Sequence, residues 1–341
     1  MRRRLGGLLL IAAALAVVGA PGAEGKAPPP VAAKGLPFGA GAAGPEGTTP
    51  PGADNRFVAL PAGGGTVVAE VSPIDQTIAR STFLPGDFTV QAVTMDRDTA
   101  GISADGGTLV LIQPRAGFFR RTTKLAILDA RRLSLRRVVT LRGNFDLDAV
   151  SPTGRYVYLV QYTNPADPTD YLIRAYDLRA GRMLSKPVVD PKDRGETMTG
   201  YPLTRVTSPD GRWAYTLYSG GRGAPFVHAL DTARHTAVCV ELDALGLSRD
   251  TRDLSNTRLA LSADGRRLAI LDGTAVPQPR PEGVVDTRTF KVTPAPAPAT
   301  TPSASERSDG GTDWLPIVAI ALVLTATVGL TLRHRRRPAS T

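Results

Sequence analysis

Cysteine is almost absent: the 341-residue chain holds one, Cys239. An internal disulfide is thereby excluded. Cys239 lies in the apolar run Ala237-Val238-Cys239-Val240, so it reads as a buried, inert thiol. Histidine is nearly as scarce, with three copies. His228 and His235 stand seven residues apart, which matches no zinc-ligand spacing, and His334 belongs to a basic C-terminal cluster. There is no Gly-x-Ser-x-Gly elbow, no Walker-type phosphate loop and no Cys–His pairing. These absences leave no catalytic residue, metal site or cofactor to expect, and the glycines serve turns and spacers.

Lysine is also rare, at six of the 41 basic residues, yet the formal charge is +10. Position explains that charge. Arg2, Arg3 and Arg4 precede an apolar run, and Arg333, Arg335, Arg336 and Arg337 follow another. Without those seven, 34 basic residues face 31 acidic ones. Basic clusters beside apolar segments are topology signals, so the charge reports membrane orientation and not a nucleic-acid partner.

What is present in quantity is a repeated turn. Ser208-Pro209-Asp210-Gly211-Arg212 joins an alternating run, Leu203–Thr207, to an apolar and aromatic one, Trp213–Tyr218. Related turns stand at Ser103-Ala104-Asp105-Gly106-Gly107, Ser151-Pro152-Thr153-Gly154-Arg155 and Ser262-Ala263-Asp264-Gly265-Arg266, recurring after 48, 57 and 54 residues. Glycine takes positive φ without steric cost, and Ser or Asp bonds the nearby backbone. A second marker, an Asp at 129, 177, 231 and 286, follows each turn Ser by 26, 26, 23 and 24 residues. Two hairpins per repeat of about fifty residues predict an all-β chain of four-stranded blades, a β-propeller. A β-sandwich with Asp-Gly turns is the alternative.

Five blades are expected over residues 56–294. The first begins at Arg56 and shows no inner strand. The others run from Phe88 to about Leu141, Phe145 to Val189, Pro202 to Leu242 and Leu254 to Val292. The flanks read differently. Residues 1–25 resemble a secretory signal peptide, with Arg2–Arg4 before the short apolar core Leu8–Val18. Residues 26–55 are a Pro/Gly/Ala-rich spacer, and 295–312 a Pro/Thr/Ser-rich stalk. Residues 313–332 contain the uncharged stretch Trp314–Leu332, long enough for one transmembrane helix. The basic tail 333–341 is then cytoplasmic, and the propeller faces outward from the plasma membrane.

The Ser-Pro-Asp-Gly-Arg turn followed by an aromatic or β-branched strand resembles bacterial TolB-like and YVTN-type β-propeller repeats, distant relatives of WD-type repeats. The resemblance covers about residues 57–294 and implies the fold. These propellers serve as binding platforms, sensors and occasional enzymes, so it does not transfer a function.

Blade polarity places the longer insertions, among them Gln113–Thr123, Thr163–Asp170, Asp190–Tyr201 and Gly220–Pro225, on one face. That face carries Phe118, Phe119, Arg120 and Arg121, with Tyr201, Arg222 and Arg280. Aromatic and arginine side chains are the usual interface anchors, and paired phenylalanines equally suit a loop tucked onto a blade edge. Asp146 and Asp148 begin an inner strand, with Arg205 and Arg258 at comparable places, so the channel would hold a small polar ligand or solvated polar groups. Two functions are consistent with this. One is a non-enzymatic surface-displayed binding or scaffold module for an extracellular protein or a cell-envelope polysaccharide. The other is a glycoside hydrolase or lyase using two channel carboxylates.

Overall fold

The computed structural model describes residues 46–115, 117–192, 198–220, 223–275 and 278–296. The expected signal segment, most of the spacer and stalk, the transmembrane stretch and the basic tail lie outside these residues. Among the described residues no helix is long and apolar enough to cross a membrane.

The fold is all-β, built of antiparallel sheets whose strands follow one another in chain order. The first sheet comprises β1 (Arg56–Ala62), β2 (Gly65–Val71) and β3 (Ile78–Pro85). A small hairpin follows, β4 (Gln91–Ala92) with β5 (Thr99–Ala100). The second sheet comprises β6 (Thr108–Ile112), β7 (Thr122–Asp129) and β8 (Ser134–Arg142). The run after β5 pairs Ile102 with Leu109, which makes it the inner strand of this sheet. Sheet three is β9 (Asn144–Val150), β10 (Tyr156–Tyr162), β11 (Tyr171–Asp177) and β12 (Arg182–Met183). Sheet four is β13 (Pro202–Thr207), β14 (Trp213–Tyr218), β15 (Phe226–Asp231) and β16 (Thr236–Glu241). Sheet five is β17 (Thr257–Leu261), β18 (Arg267–Asp272), β19 (Arg280–Asp286) and β20 (Val292–Pro294).

The first sheet does have an inner partner. Thr48 exchanges both backbone hydrogen bonds with Phe57, at 2.8 Å each, and is buried. It falls inside the stretch read as spacer, because composition averaged over thirty residues conceals a contact made by one. Gly47, at φ 71°, lies so close to Val58 and the Phe57 carbonyl that a Cβ would not fit.

Packing between the sheets follows from strand alternation. Within β6, Leu109 and Leu111 join Phe57, Val68 and Leu84 of the first sheet, whereas Val110 and Ile112 join Leu147, Val157 and Leu159 of the third. A strand buried on both faces must be apolar at every position, as Thr108–Ile112 nearly is. Tyr158 and Tyr171 then meet Tyr218 and Leu230 between sheets three and four. Leu217 and Val227 meet Leu268 and Ile270 between sheets four and five. Among the described residues no such cluster joins the fifth sheet to the first; Val58, Ala69 and Val71 form a small one within the first sheet.

The repeated turns are alike in atomic detail. Ser208 Oγ donates to Asp210 Oδ1 at 2.5 Å and accepts from Trp213 N–H at 2.9 Å, while Asp210 Oδ1 accepts from Arg212 N–H at 3.1 Å. Ser103 and Asp105 do the same for Gly107 and Thr108, and Ser262 and Asp264 for Arg266 and Arg267. Gly106, Gly154, Gly211 and Gly265 all hold positive φ, between 64° and 71°. Where Thr153 replaces Asp, Ser151 Oγ still accepts from Tyr156 N–H at 2.9 Å.

Each turn is also tied to its marker. Ala130, Leu178, Thr232 and Thr287 donate their N–H to the carbonyls of Gly107, Arg155, Arg212 and Arg266, at 2.8–3.1 Å. The two hairpin turns of each of sheets two to five therefore lie on one rim, as the spacing predicts. Neighbouring turns meet as well: Asp105 N–H donates to the Pro152 carbonyl at 3.0 Å.

A Cβ added to Gly211 would stand 2.4 Å from Ala104 Cβ, and one added to Gly154 would stand 2.2 Å from Thr108 Oγ1, whereas Gly265 has open space around it. Gly265→Ala is expected to lose roughly 1–2 kcal/mol to the left-handed backbone alone. Gly154→Ala and Gly211→Ala add a steric clash, for roughly 2–5 kcal/mol in all. Urea unfolding of the three variants checks the ranking.

Candidate functional site

The place where a propeller would keep its channel is filled by the β4–β5 hairpin. Its loop is closed by Val93 N–H to the Asp98 carbonyl (2.7 Å) and by Thr94 Oγ1 to Asp98 Oδ2 (2.8 Å). The tip reaches the free edge of β13. Met95 and Asp96 donate their N–H to the Pro202 and Leu203 carbonyls at 3.0 Å each, and Asp98 Oδ2 accepts from Arg205 N–H at 2.7 Å. A row of unpaired strand groups is thus capped from within the chain.

Around the hairpin gather four carboxylates and four arginines. Asp148 pairs with Arg205 by side chain and by its own carbonyl, and Arg205 Nε donates to Thr216 Oγ1 at 2.8 Å. Their side chains are 3% and 5% exposed. Asp146 pairs with Arg115, lies 3.6 Å from Arg120, and accepts from the Tyr162 hydroxyl at 3.0 Å. Asp96 meets Arg258 at 2.9 Å. Burial pushes the Asp146 carboxyl up, against the pull of Arg115 and Arg120. Burial also brings Arg120 down to about 10, with Asp146 opposing. Each acid of this cluster is engaged by an arginine side chain or, for Asp98, by the Thr94 hydroxyl and the Arg205 backbone N–H.

Two small cavities flank the hairpin. One, of about 90 Å³, is bordered by Thr48, Gly101, Asp148, Arg205 and Gly211. The other, of about 20 Å³, is bordered by Gln91, Asp148, Tyr162, Tyr171 and Tyr218. Asp148 Oδ2 and Gln91 Oε1 are buried there without partners, and the smaller space has room for about one water. Among the described residues no group of three His, Cys, Asp or Glu side chains is placed to hold a metal.

The residues singled out from the sequence divide accordingly. Arg120 folds back to donate to the Gln113 carbonyl at 2.6 Å and to the Phe145 carbonyl, joining Asp146. Phe118 packs edge-on against Tyr162 at 5.4 Å. Phe119, 50% exposed, points away, and Arg121 is exposed. Half of the Phe-Phe-Arg-Arg run is therefore tucked in and half presented. Asp148 and Arg205 come together, but Arg258 joins Asp96 instead. Tyr201 is half-buried among the apolar residues of sheets four and five. Arg280 stands at the outer part of sheet five, beside Glu282 at 2.9 Å and Asp272 at 3.6 Å. Arg222 lies outside the described residues. Arg115, Asp96 and Asp98 join the cluster without standing in any motif of the sequence. The charged run Met95-Asp96-Arg97-Asp98, inserted between β-like segments, was the available signal.

No protein-family profile matches the chain, and no curated protein does. Solved structures do. TolB of Acinetobacter baumannii matches with TM-score 0.39 and 15% identity, over 70% of this chain and 51% of that one. The Swd1 β-propeller domain of Myceliophteria thermophila matches with 0.39 and 11%, over 71% and 72%. Hydrazine synthase of Kuenenia stuttgartiensis matches with 0.39 and 16%, over 73% and 70%. The chain spans about half the length of the TolB it matches. TolB proteins and propeller domains are thus among its structural neighbours, while the assignment of the sheets rests on the pairings and turns above.

Removing one partner of the buried Asp148–Arg205 pair leaves a lone buried charge. Arg205→Met is expected to cost roughly 3–5 kcal/mol, and adding Asp148→Leu to recover most of it. Urea denaturation of the single and double variants decides this; an equal loss in both would mean that the pair is not what holds the axis.

A second expectation concerns pH. His228 is 2% exposed, and burial lowers its pKa from 6.5 to about 4, with Asp148 opposing. The fold therefore holds the neutral ring. Its contribution is full above pH 6.5 and is lost as pH falls toward 4, up to about 3 kcal/mol. His228→Gln should flatten stability against pH over that interval.

Proposed function

We propose that the chain is a non-enzymatic binding or scaffold module, a TolB-like five-bladed propeller displayed outside the cell on a single C-terminal membrane anchor. The axial cluster carries this reading. Glycoside hydrolysis needs two carboxyl groups facing a sugar, about 5–10 Å apart, one of them free to give up a proton. Here Asp96, Asp146 and Asp148 are engaged by Arg258, Arg115 and Arg205, and the β4–β5 hairpin, which itself carries Asp96, is bonded across to β13 beside Arg205.

Recognition is assigned to the loop face. Phe119 is 50% exposed and Met95 46%, both at the end where β6 and β10 finish and β11 and β13 begin. Exposed aromatic and thioether groups on loops held by rigid strands suit contact with a partner. The partner class we favour is an extracellular protein or a cell-envelope polysaccharide. The balance of 34 basic against 31 acidic residues outside the two terminal clusters does not favour a nucleic acid. Trp314–Leu332 would supply the anchor and the arginines after it the cytoplasmic end.

The full-length protein in membranes, offered to cell-envelope material, should retain a partner that is lost on Phe119→Ser with Met95→Ser. Phe118 and Arg120 are unsuitable for this purpose, since their removal disturbs the fold. Retention untouched by the double substitution would refute the loop face. Release of the protein by an alkaline carbonate wash would refute the anchor.

A further inference from the structure

We propose that the cleft between sheets two and three is an oxyanion-binding site, made by Arg142, Arg174 and Arg182. The cleft, of about 410 Å³, lies between the end of β8 and the outer half of sheet three. β12 is only two residues long, against nine in β8, and the outer edge of β11 continues as separate backbone contacts, Leu184 N–H to the Ala175 carbonyl and Val188 N–H to the Ile173 carbonyl at 2.8 Å each. Gln161 of β10 and Arg174 and Tyr176 of β11 border the cleft.

Three arginines border this one space, and among the described residues no acidic residue does. Arg80, Arg115, Arg136, Arg155, Arg205 and Arg212 each reach an acid within 3.1 Å, and these three do not. Arg174 is fixed by neutral acceptors, donating to Gln161 Oε1 at 3.0 Å and to the Leu184 carbonyl at 2.9 Å, so its charge is held in place but not cancelled. Its Nε is buried without a partner. Arg142 and Arg182 are exposed and form no ion pair among the described residues. Like charges gathered without a counter-charge repel, and a bound anion removes that cost. Guanidinium forks match carboxylate and phosphate oxygens in pairs. The chemistry recognised is thus a phosphoryl or carboxylate group, borne by an envelope polymer or free in solution.

The inference is independent of the loop-face reading, because it turns on Arg142 and Arg182 and not on Phe119 or Met95. It is tested by calorimetric titration of the full-length protein with inorganic phosphate, with polygalacturonate and with neutral dextran. Binding of either anion that weakens with added salt, with dextran inert, is expected. Phosphate binding would point to a small free anion, and polygalacturonate binding alone to a polymer. Arg142→Gln with Arg182→Gln should weaken it roughly tenfold or more. The same change at the remote, exposed Arg249 and Arg267 should not. Both target side chains are on the surface, so an unchanged melting temperature verifies that the double variant is folded. Failure of both anions to bind, or undiminished binding by the double variant, overturns the site.

Discussion

The architecture depends on one backbone hydrogen bond made four times. In each of sheets two to five, the N–H just after a marker aspartate donates to a carbonyl of the turn that opens the same sheet. That contact fastens the first hairpin to the second. It sets the register of the middle strands, and through register it decides which side chains face which neighbouring sheet. Slip by one residue, and Leu109 and Val110 would exchange partners. The marker turns share a further feature: Leu133, Gly181, His235 and Phe290, each four residues after its aspartate, all hold positive φ. Three of the four are not glycine, so their cost is borne by the turn and by side-chain packing. Leu133 joins the core between sheets one and two, and Phe290 stacks edge-on against Trp213 at 5.6 Å.

The axis answers a different constraint. Inner strands converge there with free edges and few apolar groups, and an open edge invites pairing with another chain. This protein uses its own β4–β5 hairpin to cap the edge of β13. The charges brought in with it are balanced acid against arginine. Buried pairs of this kind contribute little net stability but penalise any arrangement that separates them. The axis thus acts as a device for specifying one packing of the sheets. The surface features left over, the presented half of the 118–121 run and the arginine-lined cleft beside the shortened β12, lie where regular structure stops.

Much of this was legible beforehand. The Ser-x-Asp-Gly turns and marker aspartates are local chemistry: a hydroxyl, a carboxylate and a glycine within five residues close a turn whatever surrounds them. Strand order followed from their spacing. The inner strand at Thr48 was not legible, because it is a single paired residue in a Gly- and Pro-rich stretch. Nor was the hairpin at 91–100, whose bonds to β13 join residues about a hundred positions apart. The Phe118–Arg121 run was recognised as notable, but its division into Phe118 and Arg120 inward and Phe119 outward depends on Tyr162 and Asp146.

By itself, then, the sequence determined the repeating unit, since turns and alternation are settled by neighbours along the chain. Only the tertiary structure decided what stands at the centre and which charges remain uncompensated. Those outcomes depend on distances between groups remote in sequence, and such distances exist only once the sheets have packed.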